Sequence, residues 1–169
     1  EEYRAQYRDQ ILNKIDKDGL GKTKMSILDG LLRLRQICNN PALIDGKEKL
    51  PDESVKLEEL MRQINEKTGK HKIVVFSQFV KMLKLIEKEL KREGLDYEYF
   101  DGSSSQKKRR ESVNRFQEDE NCRIFLISLK AGGTGINLTA ADYVYIFDPW
   151  WNPAVENQAI DRTYRIGQD

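Results

Sequence analysis

After Lys72 the chain alternates short β-branched and aromatic runs with helical repeats, and this alternation constrains the fold more than any other feature. The runs IVVF, YEYF, IFLIS and YVYIF show little polar alternation, as strands covered on both faces do. Between them lie amphipathic stretches. Residues 79–93 set Phe79, Leu83, Ile86 and Leu90 along one helical stripe and end at Gly94, a residue suited to the left-handed position after a helix. Ser103 followed three residues later by Gln106 predicts a capping box that opens a helix through Val113 and Phe116. Asn152 and Pro153 predict the N-cap and first residue of a last helix reaching about Ile166. Strands and helices in this order predict an α/β fold with a mainly parallel sheet between helical layers.

The residues before Lys72 read as helices alone. Tyr3, Tyr7, Ile11 and Ile15 repeat every four residues, and DGLGKTK interrupts them. A second pattern runs through Ile27, Leu28, Leu31, Leu32, Leu34 and Ile37 until NNP stops it. Residues 45–54 are polar and read as a linker, and Ser54 can cap a helix that carries Leu57, Leu60, Met61 and Ile64. The predicted organisation is a helical segment over 1–44, a linker over 45–54 and an α/β domain over 55–169. Composition adds exclusions. No run approaches the roughly 20 apolar residues of a membrane span, and EEYRAQYRDQ is no signal peptide. Cys38, Cys122 and the single His71 suggest neither a disulfide framework nor a zinc site, which fits a reducing compartment. A net charge of +1 decides nothing about nucleic acid, because phosphate binding needs only a local basic or amide-lined face.

Five motifs bear on chemistry. Gly21-Lys22-Thr23 ends like a phosphate-binding loop, but Asp16 stands where its first glycine should be, and a helix precedes it where a strand should. A turn between helices is the better reading. Residues 130–137, KAGGTGIN, follow the IFLIS run directly; their glycines let backbone approach a ligand, and amides at a strand's C-terminal end suit an anion. Taken alone, an ordinary tight turn explains that segment equally well. Gln158, Arg162 and Arg165 are spaced four and three apart, on one helical face. Paired guanidinium forks suit a phosphoryl group in transit, whereas on an isolated helix they would pair with Glu156 and Asp161. Trp150 and Trp151 follow a strand, one read as core packing and one as a lever beside a nucleic-acid groove. Lys107 to Arg110 fall in the first turn of a helix, where the dipole disfavours cations.

As an ordered set these segments resemble the second RecA-like lobe of SWI/SNF-type helicase-like ATPases of helicase superfamily two. LLRLRQICNNPALI (31–44) is similar to the family's leucine-rich helix and Cys-Asn-His-Pro stretch, with Asn40 in place of histidine. KIVVFSQF (72–79) resembles helicase motif IV, and YFDGSSSQKKRRESVNRFQ (99–117) the motif that follows it. SLKAGGTGINLTAAD (128–142) resembles motif V, FDPWWNPAVENQA (147–159) its extension, and QAIDRTYRIGQ (158–168) motif VI.

The resemblance implies a RecA-like three-layer α/β/α lobe, preceded by helices, in a motor that spends ATP and Mg2+ to translocate on duplex DNA and remodel protein–DNA complexes. Arg162 and Arg165 would be arginine fingers, and Gln158, Gly135 and Asn137 would approach ATP. Ser77, Gln78, Ser103, Lys130, Ala131 and Gly132 would face the phosphates of one DNA strand, contacts that position without reading sequence. Trp150 and Trp151 would couple DNA to the motor. The sequence has no Walker A or acidic Mg2+-binding motif, so ATP and Mg2+ are expected mainly on an N-terminal lobe of the same protein, and this chain is expected to be inactive alone. It ends just past motif VI, as a fragment of a larger protein would. Two other readings stand beside the motor lobe: a non-catalytic DNA or protein docking module, and a strand-separating helicase. Nucleosomes, stalled RNA polymerase and other DNA-bound proteins are all open as the remodelled target. Short loops point to a compact prokaryotic member in the cytoplasm, whereas a eukaryotic one would be nuclear.

Overall fold

The computed structural model describes residues 25, 27–44, 54–132, 136–149, 154, 157 and 160–161. The chain divides into two compact units, Glu1–Ser54 and Val55–Asp169. In the first unit residues 27–39 form a helix, α1, as their periodicity predicts. Its apolar stripe is not covered throughout: Leu28 is 57% exposed and Leu32 41%. The NNP stop is a side-chain cap, in which Asn40 Oδ1 accepts a hydrogen bond from Ala42 N at 2.8 Å and opens a single turn of 3-10 helix, Pro41–Leu43. The Ser54 hydroxyl donates to Asn39 O at 2.6 Å. The predicted helix over 3–15, the GKT turn and most of the linker lie outside the described residues.

In the second unit the helices are α2 (Val55–Lys67), α3 (Val80–Arg92), α4 (Gln106–Glu118) and the single-turn α5 (Leu129–Gly132), and the strands are β1 (Ile73–Ser77), β2 (Glu98–Phe100), β3 (Ile124–Ser128) and β4 (Tyr143–Ile146). All strand pairs are parallel, in the order β2-β3-β1-β4. Leu57, Leu60, Met61 and Ile64 line the buried stripe of α2, and Met82, Leu83, Ile86 and Leu90 that of α3. Gly94 follows α3 with φ +69°, the left-handed geometry that glycine adopts without strain. At residues 154, 157, 160 and 161, the described part of the last predicted segment, the chain is helical.

Two expectations are corrected. Among the described residues, only the central strands β1 and β3 are buried along their whole length, whereas β2 and β4 are the edges and keep partly exposed positions. An edge strand has one neighbour, so its hydrophobic run signals pairing and not complete cover. The capping box is also misplaced. Ser105 is the N-cap of α4, accepting from Lys108 N at 3.2 Å, because Ser103 is already committed to Asp101 two residues before it.

The chain order explains the layers. β1 crosses over β3 to reach β2 through α3, and the later connections return in the opposite direction. Right-handed crossovers therefore put α3 on one face and α4, with the connection after β3, on the other. Tyr145 Oη donates to Gln63 Oε1 of α2, so α2 shares the α3 face. The opposite face holds Val74, Phe76, Phe100, Phe116, Phe125, Ile127 and Leu138 in one buried cluster. Phe125 packs edge-on against Phe100 at 5.4 Å between centroids and lies 5.2 Å from Phe116, and burial of each ring stabilises the fold by about 2–3 kcal/mol.

Candidate functional site

β1 and β3 are neighbours, yet their following segments leave to opposite faces of the sheet. In an open α/β sheet, the crevice outside the strand ends at such a switch point is where ligands bind. Ser77 and Ser128 end the two strands as register partners, and both are buried. The segments that leave these two serines, together with the turn after β2, form the candidate site.

Beyond β1, Asp148 controls the geometry. It is 2% exposed; its Oδ2 accepts from Ser77 Oγ at 3.1 Å and its Oδ1 from Gln78 N at 3.0 Å. Ser77 Oγ in turn accepts from Phe79 N at 3.1 Å, and Phe147 N donates to Phe76 O at 2.9 Å. A buried carboxylate thus ties the end of β1 to the segment that leaves β4. The Ser77 side chain faces inward, so its hydroxyl, read from sequence as a phosphate donor, is used to hold Asp148; Gln78 lies partly exposed beside it. Sequence reasoning missed Asp148. Its only signal was a lone carboxylate directly after an apolar strand, where burial demands donors.

Beyond β3 the chain makes one helical turn, with Ala131 N donating to Ser128 Oγ at 3.3 Å. Lys130 points into solvent, while Ala131 and Gly132 are buried. A Cβ on Gly132 would stand 2.8 Å from Phe76 Cε1. The absent side chain lets α5 close onto β1, a packing role that the glycine-rich pattern alone did not distinguish from a ligand cradle. Asn137 is exposed, and its carbonyl accepts from Gln117 Nε2 of α4 at 3.1 Å.

Beyond β2 the Asp-Gly-Ser turn is built around Asp101. Its Oδ1 accepts from Ser103 Oγ at 2.6 Å and Ser103 N at 2.9 Å, and its Oδ2 from Tyr99 Oη at 2.7 Å. The Ser103 hydroxyl is the main cause that holds the Asp101 carboxyl below the usual carboxylate range, so it stays ionised at neutral pH. Burial, then the Asp101 carboxylate, pushes the Tyr99 phenol up. Arg109 reaches back from α4 and donates through Nε to Ser104 O at 3.1 Å and through Nη2 to Gly102 O at 3.3 Å. The sequence reading grouped Arg109 with three other cations, but the structure uses it to fasten the turn. Lys107, Lys108 and Arg110 stay exposed, and α4 has no acidic residue in its first turn. A cleft of about 550 Å³ opens beside this turn, lined by Lys84, Tyr99, Asp101, Ser103, Ser105 and Lys108 among others.

The sheet therefore brings Gln78, Ser103, Lys130 and the Ala131–Gly132 backbone to one edge, with Ser77 behind them. Gly135, Trp150, Trp151, Gln158, Arg162 and Arg165 lie outside the described residues. Among the described residues no three His, Cys, Asp or Glu side chains gather to hold a metal ion.

Comparison with known proteins agrees with this architecture. Residues 55–167 match the family model described as helicase conserved C-terminal domain. An uncharacterized ATP-dependent helicase of Mycoplasma pneumoniae is 41% identical over 162 residues, covering 95% of this chain and 15% of that protein. The C-terminal domain of the Sulfolobus solfataricus SWI2/SNF2 ATPase superimposes with a TM-score of 0.77 at 39% identity, over 92% of this chain and 71% of that one. The core of a Sulfolobus solfataricus SWI2/SNF2 ATPase in complex with dsDNA gives 0.79 at 37% identity, over 99% of this chain and 36% of that one. The chain spans no more than about a sixth, 9–16%, of the length of curated relatives it matches.

Proposed function

The chain belongs to the helicase C-terminal domain family, in its SWI/SNF branch, and from that premise we propose that it is the second motor lobe of a DNA-dependent ATPase that translocates on duplex DNA and remodels protein–DNA complexes. The observation that supports this most is the gathering of Gln78, Ser103 and Lys130 at one sheet edge, around the switch point between β1 and β3. The Gln78 amide and the Lys130 ammonium suit phosphate oxygens and carry no base-reading pattern, while the Ser103 hydroxyl, which donates to Asp101, fixes the turn beside them. The similarity to a SWI2/SNF2 core bound to dsDNA points the same way.

In this reading Gln78, Ser103, Lys130 and the Ala131–Gly132 backbone follow the phosphates of one strand, and Ser77 shapes the edge from behind through Asp148. Gly135, Asn137 and Gln158 meet ATP from this side, while Trp150 and Trp151 couple DNA to the motor. ATP and Mg2+ would be held mainly by an N-terminal lobe, where the metal would supply neutralisation of phosphate charge. Arg162 and Arg165 arrive as the lobes close, where charge develops during transfer, so they act chiefly on the transition state.

Kinetics of the full-length protein test this. Arg162→Ala or Arg165→Ala should lower DNA-stimulated turnover by about 10³-fold, with far smaller changes in ATP and DNA affinity. Lysine at either position should recover little, because it keeps the charge but loses the planar fork. Near-normal turnover in both alanine variants would defeat the arginine-finger assignment. This chain alone should hydrolyse no ATP with or without DNA, and genuine turnover by it would overturn the two-lobe mechanism.

A further inference from the structure

Gln117, at the C-terminal end of α4, does for residues 137–140 what a neighbouring strand does elsewhere in the sheet. Its Oε1 accepts from Ala140 N at 2.8 Å, while its Nε2 donates to Asn137 O at 3.1 Å and to Thr139 Oγ1 at 3.4 Å. The partners fix the orientation of the amide, since Ala140 N can only donate and Asn137 O can only accept. Leu138, fully buried, anchors the same segment in the core, and Ala141 N closes a turn onto Leu138 O at 3.0 Å.

The other end of α4 is fastened as firmly. Ser105 caps it, and Arg109 binds the carbonyls of the turn that carries Ser103. One helix of 13 residues therefore joins the turn assigned to DNA phosphate to the segment that carries Asn137, assigned to ATP.

We propose that Gln117 is a positioning residue that holds the backbone at Asn137 in place relative to the DNA-facing turn, and so sets nucleotide affinity and its response to DNA. This rests on the motor-lobe reading above. Each hydrogen bond of this kind changes an equilibrium by about tenfold or less, which sets the scale of the effect.

The test uses the full-length protein, with Gln117→Ala, Gln117→Glu, Asn137→Ala and the Gln117→Ala/Asn137→Ala double variant. The measurements are kcat and KM for ATP at 25 °C, with and without saturating duplex DNA, and melting temperature. Gln117→Ala should lower kcat/KM for ATP by about fivefold to tenfold in the presence of DNA, mostly through KM. Gln117→Glu keeps the bond to Ala140 N but sets a carboxylate against the Asn137 carbonyl, so it should do no better. In the Asn137→Ala background the Gln117 change should cost little more, because both act through one group. A lower melting temperature with unchanged kinetics in Gln117→Ala would reduce Gln117 to a packing residue and overturn the proposal. So would fully additive effects in the double variant, or wild-type kinetics in Gln117→Glu, which also serves if the alanine variant does not fold. If Asn137→Ala alone leaves KM unchanged, the nucleotide-edge reading itself fails and this inference falls with it.

Discussion

The two ends of the sheet are built from the same residue types and use them differently. At the end where the strands begin, Lys72 and Arg115 meet partners within the fold. Lys72 Nζ donates to the carbonyls of Phe116 and Asp119, which caps the C-terminus of α4, and its own amide donates to Asp142 Oδ2 at 2.8 Å. Partial burial lowers the Lys72 pKa, as expected for an ammonium drawn out of water. Arg115 pairs with Asp96, with Glu98 at 2.9 Å and with Asp119 at 3.5 Å.

At the end where the strands finish, the charges split into two tiers. Asp148, Asp101 and Arg109 turn inward and give the edge its shape. Lys107, Lys108 and Lys130 stay exposed, and Lys107 lies 3.8 Å from Glu111, both side chains being mostly in solvent. Such an exposed pair adds little stability. At one end Lys72 and Arg115 are engaged in holding the fold, whereas the other leaves an outer tier of lysines exposed.

Four substitutions can break or sharpen this contrast. Asp148→Ala should have the largest effect on stability, about 3 kcal/mol in urea unfolding, because it leaves the buried Ser77 hydroxyl and the Gln78 amide without their charged acceptor. It should also depress DNA-stimulated turnover in the full-length protein, since the inner tier positions the outer one. An Asp148→Ala variant that melts normally would show that the carboxylate is not structural. Gly132→Ala should cost about 2 kcal/mol, as its Cβ meets the Phe76 ring in a closed core. A melting temperature at or above the wild-type value would mean that Phe76 moves aside freely.

Lys72→Met should lower stability by about 1 kcal/mol through the lost helix cap, with no change in how DNA affinity depends on salt. A changed salt dependence would place DNA at the wrong end of the sheet. Lys130→Ala should be the mildest for folding, within about 0.5 kcal/mol, and yet reduce the slope of log affinity against log salt by about one phosphate contact, equally for unrelated duplexes. Loss confined to particular sequences would indicate base readout.

Much of the fold was legible because its signals are local. The stripe Leu83, Ile86 and Leu90 forms through contacts three and four residues apart, and Gly94 ends that helix through its own backbone geometry. The strand runs were equally visible, though not which of them lay at an edge. In the candidate site, Gln78, Ser103 and Lys130 stood out from their motifs. Ser103 was nonetheless mistaken for a cap, because three serines in a row compete for the same helix start and only the prior engagement of Asp101 decides among them.

By itself, then, the sequence determined the element order and the parallel sheet, which rest on short-range periodicity, while its resemblance to helicase motifs is what singled out residues at the strand ends. Only the tertiary structure decided which polar residues face inward. Asp148 meets Ser77 across 71 positions, and Gln117 meets Ala140 across 23. Whether a carboxylate, amide or hydroxyl binds a partner or holds the fold depends on the donors that distant segments bring within about 3 Å, and no local pattern encodes that distance.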